Sequence, residues 1–286
     1  MKTIGVIGAG TMGHGIAQVM AASGRTVLLM EVNDSFLEKG VARIAANLDR
    51  LVKKGTITES DKSAITGRVR GTTDLGDLAP AELIIEAATE DLDTKLALFR
   101  KLDGMARPGV ILATNTSSIS ITRIGGVTRR ADRVIGMHFM NPVPVMGLVE
   151  IVRGELTADE TVAAIEGLTR EIGKTPVTVN DAPGFVANRI LMPMVNEAVF
   201  TLSEGVATRE AIDTVMKLGT NQPMGPLALA DLIGLDVCLA IMEVLHRDIG
   251  DSKYRPAPLL RRMVHAGLLG RKSGRGFYSY GEGKAS

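Results

Sequence analysis

The chain has 286 residues, which is long for one core and comfortable for two domains. A hydrophobic fraction of 45% supports a packed interior, while a formal net charge of +1 gives no global field to gather nucleic acid or an anionic membrane. Tryptophan is absent and aromatics are scarce, which argues against stacking platforms for single-stranded nucleic acid, and no run approaches the ~18 apolar residues of a spanning helix.

Residues 3–7 (Thr-Ile-Gly-Val-Ile) read as a buried strand. They are too short for a signal-peptide core and run straight into glycines, so a cytoplasmic location is expected. A helix is expected over 12–23, a strand over 25–30, and a helix over 35–54 with Leu37, Val41, Ile44, Leu48 and Leu51 at helical spacing. Strands follow at 83–86, 110–113 and 134–137, with a helix at 93–105. A further helix at 159–172 precedes a last strand at 175–179. Strands alternating with helices predict parallel βαβ units and a doubly wound sheet, an α/β fold of the Rossmann type. The polar, Pro- and Gly-containing stretch at 180–184 marks a boundary. Beyond it the spacing is helical at 190–202, 209–218, 227–246 and 258–266, which predicts a smaller all-α domain. The expected division is 1–183 and 184–286, with 281–286 frayed. Cys238, the single cysteine, lies in an apolar run and reads as buried filler.

Gly8-Ala9-Gly10-Thr11-Met12-Gly13 is a G-x-G-x-x-G string between a predicted strand and a predicted helix. Gly8 permits the tight turn, Gly10 lets the backbone approach a pyrophosphate, and Gly13 lets helix and strand pack closely. Backbone N–H groups and the helix dipole then meet phosphate. Glu31, at the end of the second strand, stands at the distance expected of the group that binds a ribose 2′-OH. A carboxylate there repels a 2′-phosphate, and Val32, Asn33 and Asp34 supply no arginine, so NAD is expected over NADP. No metal is expected.

Four histidines are present: His14, His138, His246 and His265. His14 lies inside the phosphate turn and reads as helix surface; His246 and His265 stand beside arginines in the helical half. His138 follows the strand at 134–137, and ligands of open α/β sheets bind outside the carboxyl ends of strands. A core histidine is the alternative on spacing alone. Glu150 sits in the apolar run 148–152, where a charge is costly unless paired. His138 is its natural partner: a carboxylate on one imidazole nitrogen fixes the tautomer and supports the imidazolium formed when the other nitrogen takes a proton. Oxidation of an alcohol by NAD needs such a base. Asn115, Thr116, Ser117 and Ser118 offer amide and hydroxyl groups at another strand's carboxyl end, or an N-cap for the next helix.

These motifs together resemble the 3-hydroxyacyl-CoA dehydrogenase family, most closely its short bacterial branch acting on 3-hydroxybutyryl-CoA. The resemblance rests on the glycine turn, Asn115-Thr116-Ser117-Ser118, His138-Phe139-Met140-Asn141-Pro142, Leu148-Val149-Glu150, Asp181-Ala182-Pro183-Gly184-Phe185-Val186-Ala187-Asn188-Arg189, Gly225-Pro226 and Gly274-Arg275-Gly276-Phe277-Tyr278, in order along nearly the whole chain. It implies reversible oxidation of (S)-3-hydroxyacyl-CoA to 3-oxoacyl-CoA such as acetoacetyl-CoA, with His138 as base and Glu150 as its orienting partner. It places Ser117 and Asn188 on the substrate C3 oxygen. It places Glu90, Lys95, Asn115, Ser117, Asn141 and Lys272 on NAD, beside the turn residues Gly8, Gly10, Thr11, Met12 and Gly13. It implies a helical domain that carries a homodimer contact, with the site in the cleft between the domains. Glu31 departs from the family, where Asp is usual, but its longer side chain still reaches a ribose.

CoA brings anionic phosphates. Arg43, Asn47, Arg50 and Lys54 recur at three- and four-residue spacing on the helix 35–54, away from its leucine stripe. A solvated face is the usual meaning of such a row. Asn47 and Lys54 match family CoA contacts, and Arg50 is assigned with them. Three rivals stand beside this reading. The related crystallin-like gulonate dehydrogenases act on a sugar acid, the β-hydroxyacid dehydrogenases use a catalytic lysine, and an inactive dinucleotide-binding protein would keep the fold alone. The His138/Glu150 pairing speaks against the lysine enzymes, and the intact Ser117, His138, Glu150 and Asn188 set against an inactive protein.

Overall fold

A computed structural model describes residues 1–281. They separate into two compact units, Met1–Ala182 and the described residues from Pro183 onward.

The first unit runs β1 (Thr3–Ile7), α1 (Gly13–Ala22), β2 (Thr26–Met30), α2 (Asp34–Lys53), α3 (Glu59–Gly67), β3 (Val69–Thr72), β4 (Leu83–Glu86), α4 (Leu92–Met105), β5 (Ile111–Thr114), α5 (Ile121–Gly125), β6 (Val134–Phe139), β7 (Leu148–Arg153), α6 (Asp159–Glu171) and β8 (Thr175–Asn180). One eight-stranded sheet has the order β3-β2-β1-β4-β5-β6-β7-β8. Its first six strands are parallel in the dinucleotide-fold order 3-2-1-4-5-6, whose switch point lies between β1 and β4. β1, β4, β5 and β6 are almost continuously apolar and buried, as strands covered on both faces must be. On α2 the expected stripe meets the core: Ile44 and Leu48 are buried, with Leu37, Val41 and Leu51 packed beside them.

The doubly wound sheet is as expected, and the parallel βαβ pattern ends at one edge. β7 pairs with β6 antiparallel, and β8 follows β7 in parallel. Only residues 140–147 join β6 to β7, too few for the crossover that parallel neighbours need. The structure also adds α3 and β3, which apolar periodicity misses: β3 is Val-Arg-Gly-Thr, an edge strand with a single apolar side chain.

The second unit contains α7 (Ala187–Ser203), α8 (Arg209–Gly219), α9 (Pro226–Ile233), α10 (Leu235–Ile249) and α11 (Pro258–His265). The single helix expected over 227–246 is broken at Gly234, whose φ of 106° no helix accommodates. The apolar side chains of this stretch pack inside the unit: Leu227, Ala230, Leu235, Cys238, Leu239, Ile241, Met242 and Leu245 all join its core. Cys238 is that core's filler, and burial pushes its thiol up to about 12. The motif Gly274–Tyr278 is likewise structural. Buried Asp231 accepts the N–H groups of Phe277 and Tyr278, both at 2.9 Å, and a side chain at Gly276 would run into that carboxylate. Of the end expected to fray, 281–286, residues 282–286 lie outside the described residues.

Candidate active site

The glycine turn shows which glycines the chain itself requires. Gly8 has φ 94°, and a Cβ there would meet the Ala87 carbonyl at 2.7 Å. A Cβ at Gly13 would strike the Gly8 carbonyl. At Gly10 a Cβ would meet nothing within 4 Å, so internal packing does not demand glycine there. A pyrophosphate lying against the backbone would demand it. Thr11 is exposed beside it, and Met12 precedes α1 without a side-chain cap; the His14 N–H lies on the Gly10 carbonyl at 3.2 Å, and the positive end of the helix dipole faces the turn where an anion would sit. Glu31, one residue beyond β2, is folded onto this turn: its carboxylate accepts the N–H of Ala9 at 2.8 Å and of Val32 at 2.7 Å. A carboxylate has about four acceptor positions, so room remains for ribose hydroxyls. These residues fit an NAD dinucleotide.

His138 lies within β6 rather than beyond its end, because the strand continues to Phe139. Glu150 is its direct cross-strand partner in the antiparallel register with β7. Their side chains therefore share one face of the sheet, and His138 Nδ1 stands 2.7 Å from Glu150 Oε2. Both are buried, at 7% and 2% exposure. The unexpected antiparallel strand is thus what delivers the carboxylate to the imidazole. Asn115, just after β5, accepts the Phe139 N–H at 2.9 Å on its Oδ1 and so pins the strand next to His138. Asn141 is exposed three residues on, before a cis peptide to Pro142.

Glu90 gathers the loop after β5. It accepts from Thr116 Oγ1 (2.5 Å), Ser117 N (2.8 Å) and Ser118 N (3.2 Å), with Lys95 Nζ at 3.5 Å. Burial raises its pKa, but the Lys95 charge and these donors outweigh that and hold the carboxyl below its usual value. Lys95 itself is 1% exposed, and its ammonium lies on Glu86 at 2.6 and 2.7 Å. Glu86, missed in the sequence, is wholly buried and also accepts from Thr114 Oγ1 and Ala88 N. The signal was present: a carboxylate ending the apolar run Leu83–Glu86 raises the same question as Glu150.

The row on α2 is confirmed as a surface row in part. Arg43 and Arg50 are exposed, and Lys54 is exposed as the C-cap residue. Asn47 is half-buried: it donates to Gln18 at 3.2 Å and accepts from Arg50 at 2.6 Å. In the second unit Asn188 lies in the first turn of α7, its backbone N–H on the Gly184 carbonyl, and Lys272 is paired with Asp236 at 2.6 Å. His14 places Nδ1 2.6 Å from the Gly10 carbonyl, while His246 and His265 are exposed. In the Asp181 motif, the aspartate holds Ser120 Oγ and the Thr122 N–H, which anchors α5 rather than a ligand.

Two family models account for almost the whole chain: the NAD binding domain of 3-hydroxyacyl-CoA dehydrogenase over residues 3–182, and the C-terminal domain of 3-hydroxyacyl-CoA dehydrogenase over 184–280. A Deinococcus radiodurans protein named as a probable 3-hydroxybutyryl-CoA dehydrogenase is 55% identical over 276 residues, 96% of this chain and 99% of its own. A Bradyrhizobium diazoefficiens 3-hydroxybutyryl-CoA dehydrogenase is 51% identical over 98% of this chain and 96% of its own. Among solved structures, the (S)-3-hydroxybutyryl-CoA dehydrogenase of Ralstonia eutropha superposes with a TM-score of 0.96 at 55% identity, covering 99% of this chain and all of that one. On matches this extensive, the protein belongs to the 3-hydroxyacyl-CoA dehydrogenase family.

Proposed function

We propose that this enzyme interconverts (S)-3-hydroxybutyryl-CoA and acetoacetyl-CoA with NAD(H), His138 serving as general acid/base. The observation that carries the proposal is the buried His138–Glu150 pair. Bound NAD supplies the hydride acceptor or donor. With Glu150 on Nδ1, that nitrogen keeps its proton, and Nε2 is the nitrogen assigned to take the C3 hydroxyl proton. Glu150 then faces a full imidazolium charge, and in the reverse direction His138 returns the proton to the forming alkoxide. Ser117 and Asn188 are assigned to the C3 oxygen by family resemblance. Glu90 orders the Ser117 backbone, and Lys95, buried on Glu86, acts through Glu90 as a positioning residue. Asn115 holds the His138 strand, and Asn141 and Lys272 are assigned to the dinucleotide. Asn47, Arg50 and Lys54 are assigned to the CoA phosphates.

The names of the relatives favour this substrate over a sugar acid. Purified protein should oxidise NADH with acetoacetyl-CoA and remain inactive with L-gulonate and NAD; the opposite preference would overturn the proposal. We further infer that the active form is a homodimer. The support is exposed apolar surface on α7 and α8, where Ile190, Val215 and Leu218 stand 64% or more exposed. Sedimentation at micromolar concentration should give twice the chain mass, and an active monomer would refute it. Among the described residues no helix is long and apolar enough to cross a membrane, and a cytoplasmic location accords with that.

A further inference from the structure

The loop that leaves the histidine strand is gripped by a lysine that the proposed chemistry does not use. Residues 140–147 join β6 to β7, and the Pro142 carbonyl accepts the N–H groups of both Val145 and Met146 at 3.0 Å. On one side the loop leans on α1. Val143 is buried there, and a Cβ at Gly15 would come within 2.8 Å of the Val143 Cβ and 3.5 Å of Pro144 Cδ. Gly15 is two residues beyond Gly13 of the dinucleotide turn. On the other side stands Lys174, immediately before β8. Its Nζ donates to the Val143 carbonyl at 2.7 Å and to the Met146 carbonyl at 2.6 Å. The next residue, Thr175, donates its N–H to the Gly147 carbonyl at 2.7 Å.

Lys174 is 8% exposed, and burial alone lowers its pKa, with no carboxylate among the causes. Burying an ammonium without a counter-ion is unfavourable, and an apolar side chain of similar volume would avoid the penalty. A hydrocarbon could not hold two carbonyls in fixed positions.

We infer that Lys174 is a positioning residue for the reaction, clamping loop 142–146 so that the His138 strand and the dinucleotide helix α1 keep a fixed spacing. The inference rests on the reading of His138 as base and the glycine turn as the dinucleotide site. Misplacement by about 1 Å can cost 10²-fold in rate, because reacting atoms must be held near contact.

The test is Lys174→Met in the full chain, with kcat for acetoacetyl-CoA reduction expressed per NADH-binding site. The clamp predicts a loss of roughly 10- to 100-fold in kcat per site. It also predicts faster hydrogen exchange at residues 143–147 and recovery of most of the rate in Lys174→Arg, which keeps the donors. A merely structural lysine would lower melting temperature or the number of binding sites and leave kcat per site unchanged; that result overturns the inference. If Lys174→Met does not fold, Gly15→Ala probes the same link with Lys174 intact. Its methyl should push the loop off α1 and lower kcat per site, and a wild-type rate there overturns the inference. If the wild-type protein does not reduce acetoacetyl-CoA, the function fails instead. Exchange at 143–147 then still decides the clamp, since wild-type protection in Lys174→Met would refute it.

Discussion

Replacing Glu150 with glutamine isolates the electrostatic part of the proposed catalytic pair. The contact is short, 2.7 Å, and both partners are buried, so solvent screens it little. The imidazolium charge is spread over the ring, so about 4 Å is a reasonable working separation. At that distance, with an effective dielectric of about 20, the attraction is about 4 kcal/mol. Catalysis uses the share that appears as the proton arrives, and each ~1.4 kcal/mol is tenfold in rate. Glu150→Gln should therefore lower kcat by about 10²- to 10³-fold. The shape of the side chain is kept, so NADH affinity, followed by the cofactor's own fluorescence because the chain has no tryptophan, should stay within about threefold. A variant with near-wild-type kcat would show that Glu150 neither orients nor supports the base.

Lys54→Ala should raise KM for acetoacetyl-CoA several-fold with kcat nearly unchanged, an effect that shrinks with added salt and vanishes for a truncated thioester lacking the nucleotide; equal losses for both substrates would remove Lys54 from the CoA site. Gly10→Ala should keep the wild-type melting temperature but weaken NADH binding at least ~10-fold, because its methyl meets no protein atom, whereas Gly13→Ala should destabilise the fold itself through the Gly8 carbonyl. Equal melting losses in the two glycine variants would contradict this division. Lys95→Met should destabilise the protein by about 3–5 kcal/mol in denaturant titration by stranding buried Glu86, and adding Glu86→Gln should return part of the loss; simple additivity of the two substitutions would argue against a coupled pair.

The sequence was most informative where one pattern admitted one physical reading. Continuous apolar strands, the glycine turn and the α2 stripe each fix what they must pack against or bind. His138 and Glu150 were paired from the cost of a lone buried carboxylate, and that argument needed no knowledge of strand direction. Direction itself was not legible. The residues that make β7 antiparallel are a short loop, and loop length decides topology only once both strands are known to be neighbours. Glu86 ends an apolar strand as Glu150 interrupts one, but its partner Lys95 stands on a helix whose register against the strand no spacing reveals, so the pair is visible only in the fold. Gly234 gives no signal in the sequence, because a single glycine in a strongly apolar helical run weakens the helix by only ~1 kcal/mol and its positive φ comes from tertiary context. The carboxylates Asp213 and Asp231 left no trace in spacing, since they bind backbone N–H groups brought close only by folding.

The central claim is that His138 moves the substrate proton while the dinucleotide is held elsewhere, and His138→Gln separates the two. The measurement is kcat for acetoacetyl-CoA reduction alongside the Kd for NADH on the same preparation. The account predicts a fall in kcat of roughly 10²- to 10⁴-fold, the usual worth of a positioned acid/base, with Kd essentially unchanged. A wild-type kcat in that variant would contradict it, and so would a rate loss wholly explained by weaker NADH binding.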